Sequence, residues 1–330
     1  MRFGFVKAAT IAAATVLATI PAASYAQEKV SYLFPAPDFL PAFTPFQVAR
    51  VKGYYEDAGL DVSWAIGKGG ADVAKQVAVG NSDLGGGIGD TPIIIRPNGL
   101  DVKAVAVLGG KALTQLVIRK DSGATDVAGL KGLNIGVMAF QDTTYYNLLA
   151  ALASADMTKD DANIQAVGPA GMVQLMISGD LDAISGTPDW AAAIEGAGID
   201  LTIVPINDLF PAMAQAIIAS DEMIEERPEV VRSFVQATLQ GMRDVMEDPE
   251  GSSKLLADNI PQFEGKAAML EDIMKRYTEL VYATPDMAKL GMIDPERMTA
   301  VADFYLENGI VNETLATEEY YDNQFAAPTE

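Results

Sequence analysis

Residues 69–90 read GGADVAKQVAVGNSDLGGGIGD, and residues 168–189 read GPAGMVQLMISGDLDAISGTPD. Gly69 and Gly168, Gly80 and Gly179, Asp83 and Asp182, Gly87 and Gly186, and Asp90 and Asp189 all keep one constant offset. Each copy reads as a loop glycine, a helix with inward apolar positions (Val73 and Val77, Met172 and Met176), a glycine stop, a short strand, and a loop that ends in Asp. Two copies predict two similar lobes. If each puts a strand end and a helix start on the same side of its sheet, the two faces can close on one small molecule. Neither copy carries the Gly, Lys, Ser or Thr signature of a nucleotide loop or the dinucleotide spacing, which removes a phosphate cradle from the readings.

Outward from this stretch, the pattern predicts strands over 29–34, 61–66 and 102–108, with a Pro-rich loop at 35–41 and a helix over 42–58 that Gly59 stops. Strand and helix alternating in this order predict a parallel sheet covered by helices. After a strand over 114–120 and a polar turn the pattern restarts, with strands at 134–139 and 163–167 around a helix at 145–155. Strands at 201–206 and 214–220 follow. Helices are then expected over 228–247, 252–259, 266–282 and 295–308, the last with Asp294 as N-cap and Gly309 as stop.

Residues 1–26 have the layout of an export signal. Arg2 and Lys7 precede an almost wholly apolar run, and Ser24, Tyr25 and Ala26 put small residues where a signal peptidase reads, so cleavage is predicted after Ala26. The chain has no Cys, which excludes a lipid anchor at that site and a disulfide framework. The net charge of −22 grows more negative once Arg2 and Lys7 leave, making nucleic acid and anionic lipid poor partners. There is no His either, so serine or cysteine triads and His-ligated metals are excluded; a hydrolase would depend on carboxylates, and no pair has a spacing that singles it out.

The segment GYYEDAGLDV at 53–62 is followed by the Gly69–Gly70 loop, by SDLGGG at 82–87, and by an apolar strand ending in Gly109 and Gly110. With GLKG at 129–132 and the run from Ala219 and Ser220 to Arg227, Pro228 and Glu229, this order resembles the substrate-binding proteins of ABC importers, in the branch serving nitrate, sulfonates, taurine and thiamine-pyrimidine precursors. The resemblance covers essentially the whole mature chain. It implies an α/β fold of the periplasmic-binding-protein type 2 class, with two lobes, a central ligand cleft and two crossover hinge strands. The lobes would be 28–116 plus 219–330, and 117–218. It further implies a periplasmic monomer that captures a small-molecule solute by hinge closure and passes it to an inner-membrane ABC permease, with no cofactor, metal or nucleic acid. Thiamine-pyrimidine synthases resemble these receptors, but they use a His and a Cys-rich motif absent from this chain.

Candidate ligand residues come from loops at strand ends. The first lobe offers Asp38, Phe39, Gly69, Gly70, Ala71, Gly89, Asp90 and Thr91; the second offers Phe140, Gln141, Asp142, Thr143, Gly186, Thr187, Asp189 and Trp190. Gly69 and Gly70 fit a close backbone approach to a ligand, or simply a tight turn. Asp90, Asp142 and Asp189 each stand at a helix start, where capping explains them without a ligand. Phe140 and Trp190 could stack on a flat ligand or pack in the core. Four acids beside three aromatic residues favour a flat, amino-bearing ring such as a pyrimidine; an aromatic sulfonate or carboxylate is the alternative.

Overall fold

The computed structural model describes residues 27–327 together with Met1 and Gly4, so the expected export segment otherwise lies outside the described residues. Among the described residues, ten strands form two sheets. They are β1 (Glu28–Phe34), β2 (Leu60–Ile66), β3 (Leu84–Ile88), β4 (Val102–Val107), β5 (Gln115–Arg119), β6 (Asn134–Val137), β7 (Asn163–Ala166), β8 (Ala183–Gly186), β9 (Leu201–Pro205) and β10 (Gln215–Ser220). The orders β2-β1-β3-β10-β4 and β7-β6-β8-β5-β9 correspond place by place, with the strand of each sequence repeat, β3 or β8, at the centre.

The alternation of elements predicted a parallel sheet, but both sheets are mixed. β1 pairs in parallel with β2 and β3, but β10 runs antiparallel to β3 and β4. In the second sheet β5 likewise runs antiparallel to β8 and β9. The reason is the connection. β5 and β10 each enter their sheet directly from the other one, across 108–114 and 206–214, without the crossover helix that returns a chain to the same end of a sheet.

The repeat also has a shared structural task. The Asp83 carboxylate accepts from the backbone N–H and the hydroxyl of Ser31 in β1, each at 2.7 Å. Its counterpart Asp182 accepts from the N–H of Asn134, at the start of β6, at 2.8 Å. Each carboxylate thus pins the strand entering next to the repeat.

Among the described residues, twelve α-helices cover the sheets: α1 (Thr44–Val51), α2 (Tyr54–Asp57), α3 (Gly70–Ala78), α4 (Thr91–Ile95), α5 (Thr143–Ala153), α6 (Gly168–Ser178), α7 (Pro188–Gly196), α8 (Asp221–Glu226), α9 (Pro228–Glu247), α10 (Pro249–Asn259), α11 (Ala267–Tyr277) and α12 (Pro295–Glu307). The single helix expected over 42–58 is two, because Gly53 takes the left-handed conformation at φ +77° and ends the first. The span 266–282 stops being α-helical at Tyr277 and continues as a wider turn over 278–282. Asp294 caps α12 as expected, accepting from the N–H of Glu296 at 3.0 Å. α9 lies along α1 and against β2 and β4, while α11 packs on α10 and reaches across to α7 of the second lobe. Tyr32, Phe46, Trp64 and Phe234 lock β1, α1, β2 and α9 into one aromatic core.

Candidate functional site

The loops after β1, β3 and β6 and the first turns of α3, α4, α5 and α7 meet where the two lobes face each other. Gly69 begins α3 with φ +104°, and a Cβ there would lie 2.7 Å from the Cα of Asp142 and 2.8 Å from the carbonyl oxygen of Gln141. Its close approach is therefore to the opposite lobe. At Gly70 an added Cβ would lie 2.7 Å from the Thr143 hydroxyl, again across the cleft.

Asp142 ties the seam together. One carboxylate oxygen accepts from the N–H of Thr144 at 3.0 Å and from the Thr144 hydroxyl, capping α5; the other accepts from the N–H of Gly70 at 2.9 Å, in the first turn of α3. A carboxylate is well placed at a helix N-terminus, where unpaired N–H groups and the helix dipole favour negative charge, and this one serves a helix from each lobe. Alongside it, the Asp72 N–H donates to the Gln141 carbonyl at 3.2 Å, and the hydroxyls of Thr91 and Thr143 share a bond of 2.8 Å.

Asp90 and Asp189, the matching ends of the repeat, are both buried, and neither caps its helix with its side chain. The Asp90 carboxylate accepts from the Tyr305 hydroxyl of α12 and, at 2.8 Å, from the side-chain amide of Asn147 on α5. Asn147 in turn accepts from the Thr114 hydroxyl at 2.8 Å, at the entry to β5. The Asp189 carboxylate accepts from its neighbour Thr187 at 2.6 Å and from the Tyr277 hydroxyl of α11 at 2.7 Å. So each repeat aspartate is held by a buried tyrosine from the C-terminal helices, and the default capping role is corrected for both. Burial pushes all three carboxyls, at 90, 142 and 189, above the ordinary carboxylate range, against the opposing pull of their hydrogen bonds. The same burial raises the Tyr277 and Tyr305 hydroxyls.

Between these contacts lies a cavity of about 50 Å³. Of the sequence candidates, Gly70, Asp142, Thr143, Thr187, Asp189 and Trp190 line it. Gly69, Ala71, Gly89, Asp90, Thr91 and Gly186 are buried beside it without reaching its wall. Four candidates stand away from it. Asp38 faces Arg50 at 3.5 Å, Phe39 and Phe140 are exposed, and Gln141 contributes only its carbonyl to the seam. Phe140 meets Tyr145 edge-on at 5.2 Å, whereas Trp190 is 7% exposed and forms part of the wall. The wall also includes Phe43, Leu113, Met138 and Gln215, which the sequence reading missed. Tyr277 and Tyr305 were missed too: they sit in amphipathic helices far along the chain, where a tyrosine on the buried face reads as core. For Gln215 a signal existed, one amide opening the otherwise apolar strand QAIIAS. Among the described residues, no Lys or Arg lines the wall.

The family model described as NMT1/THI5 like matches residues 40–252. The chain belongs to that family. It is 26% identical over 328 residues to the riboflavin-binding protein RibY of Chloroflexus aurantiacus, covering 96% of this chain and 91% of that one. Identity to the 4-amino-5-hydroxymethyl-2-methylpyrimidine phosphate synthase of Aspergillus parasiticus is 26% over 242 residues, covering 67% and 68% of the two chains. The taurine-binding periplasmic protein of Escherichia coli is 23% identical over 278 residues, covering 81% and 84%. Among solved structures, the alkanesulfonate-binding protein SsuA of Xanthomonas axonopodis pv. citri, bound to MOPS, superposes with a TM-score of 0.70 at 19% identity, over 91% of this NMT1/THI5-like chain and 99% of that one. The fold is that of the periplasmic binding proteins, as the resemblance implied.

Proposed function

We propose that this protein is the periplasmic solute receptor of an ABC importer, and that it takes a small, planar, nitrogen-bearing ring between its lobes rather than a sulfonate or nitrate. The observation that carries this reading is Asp142. An anion would need the N–H groups at the start of α3, where the Gly70 N–H already meets the Asp142 carboxylate and the Asp72 N–H the Gln141 carbonyl. A wall with two aspartates, three threonines, a glutamine and Trp190, but no cation, suits hydrogen-bond donors on a flat ligand. Two relatives are named for rings of this kind, riboflavin and an aminopyrimidine.

The Asp142–Gly70 and Thr91–Thr143 contacts bridge the lobes beside the cavity, so the lobes part to admit a ring. The two crossovers, 108–114 and 206–214, which lead into β5 and β10, are the hinges of this motion, and the lobes are taken as the two sheets with their helices, which puts 115–116 in the second lobe and 215–218 in the first, unlike the expected bounds. The chain acts as a monomer and hands its solute to a membrane permease. It is not an enzyme: with neither His nor Cys it lacks the groups the resembling synthases use.

Thermal shift and calorimetry with riboflavin, 4-amino-5-hydroxymethyl-2-methylpyrimidine, taurine, MOPS and nitrate test the reading. A ligand at 100 times its Kd stabilises the fold by about 2.7 kcal/mol, and this is expected from a heterocycle. Stabilisation by taurine, MOPS or nitrate, with none from the two heterocycles, would overturn it in favour of an anion receptor.

A further inference from the structure

Gln215 is the first residue of β10, where the chain re-enters the first sheet from the second crossover. Its backbone is committed: the carbonyl accepts from the N–H of Leu108 at 2.7 Å, and the residue pairs with Ile88 of β3. The side chain is not. It is 6% exposed, it lines the cavity, and its Oε1 is buried with no hydrogen-bond partner among the described residues. The residues that follow it, Ala216, Ile217, Ile218 and Ala219, are all buried and apolar. A Leu or Met at 215 would continue that pattern without desolvating an amide. A buried acceptor left unmet is unfavourable and calls for an explanation in the molecule's work.

Two further features point to a ligand. Gln215 stands on the first-lobe wall, while Asp189 and Trp190 stand on the second-lobe wall of the same cavity, so a ring between them would meet acceptors from both sides. Both donors that Asp189 receives from side chains are supplied from its own lobe and from α11, so neither consumes the glutamine. Resting on the receptor reading above, we propose that Gln215 is a specificity-determining residue whose amide oxygen accepts an N–H from the bound ring, selecting rings that carry an amino or lactam N–H over rings of the same shape that lack one.

The test uses the full mature protein with 4-amino-5-hydroxymethyl-2-methylpyrimidine and its analogue with hydrogen in place of the 4-amino group, and with riboflavin, which carries a ring N–H. Calorimetry on the wild type is expected to favour the amino compound by 10-fold or more. Gln215→Leu is expected to fold with an unchanged or higher melting temperature, to lose that preference, and to bind riboflavin at least 10-fold more weakly. Gln215→Glu keeps an acceptor at the position and is expected to retain discrimination. Wild-type discrimination that survives in Gln215→Leu overturns the inference, as does equal wild-type affinity for the two pyrimidines. Wild type that binds neither pyrimidine nor riboflavin overturns the heterocycle reading itself, and the inference with it; binding without a Gln215 effect overturns only the inference.

Discussion

Gly69→Ala tests whether the lobes close by direct contact. The added methyl would lie 2.7 Å from the Asp142 Cα and 2.8 Å from both the Asp142 Cβ and the Gln141 carbonyl oxygen, all belonging to the opposite lobe. Two of these are backbone atoms, so no rotamer change relieves the contact and the lobes must separate locally. Overpacking of this kind costs roughly 1–3 kcal/mol. It acts on the closed form alone, which corresponds to a loss of about 5-fold to 150-fold in the closed population and in the affinity of any ligand that needs it. The methyl also meets the unfavourable φ of +104°, which adds strain of about 1–3 kcal/mol whether the lobes are open or closed. The control for that second effect is the counterpart in the other copy. Gly168 has φ +71° and nothing within 4 Å of an added Cβ, so Gly168→Ala carries backbone strain without the clash. Small-angle scattering and calorimetry on both variants separate the two effects: both should melt earlier than wild type, but only Gly69→Ala should scatter as a more open particle and bind more weakly. If its scattering and affinity match those of Gly168→Ala, the closure reasoning is refuted.

Burial raises the folded-state carboxyl of Asp90, so the folded chain holds its proton to higher pH than the unfolded chain does. Stability from this group is present at low pH and is lost as pH rises through the raised value; Asp90→Asn should flatten the fall in melting temperature as pH rises above about 4, the ordinary carboxylate value, and an unchanged slope would count against the assignment. Tyr277→Phe removes one of the donors to the Asp189 carboxylate and should cost about 1–3 kcal/mol in a urea titration; a neutral result would mean that this hydrogen bond contributes nothing to the seam. Trp190→Ala should lower the affinity for riboflavin or the aminopyrimidine by at least about 2-fold, the lower end of an aromatic stacking contribution, and full affinity with a lower melting temperature would return Trp190 to packing alone.

Much of the fold was legible because its signals are local. The repeat could be read from glycines and aspartates at a constant offset, and the matching sheets carry it at the same place, with Asp83 and Asp182 performing the same task. Strand and helix positions followed from apolar periodicity and from stops such as Gly59. The break at Gly53 was less visible, because a glycine inside an amphipathic pattern does not announce which way its φ will turn. For the site, six of the candidates came to the cavity wall because strand-end loops face the cleft in this architecture. Asp38 and Phe39 did not, since the Pro-rich loop turns their side chains toward Arg50 and solvent.

The sequence by itself determined the two-copy plan, the acidic chain without His or Cys, and the loops from which a cleft could be built, because each depends on residues near one another along the chain. Only the tertiary structure decided what those loops meet. That Asp142 serves the starts of both α3 and α5, that Tyr277 and Tyr305 hold the two repeat aspartates, and that Gln215 keeps an unmet oxygen beside the cavity all join residues from distant parts of the chain. A carboxylate at a helix start looks the same in sequence whether it caps its own helix, bridges two lobes or meets a distant tyrosine, because the choice is made by which donors the packed chain brings within reach.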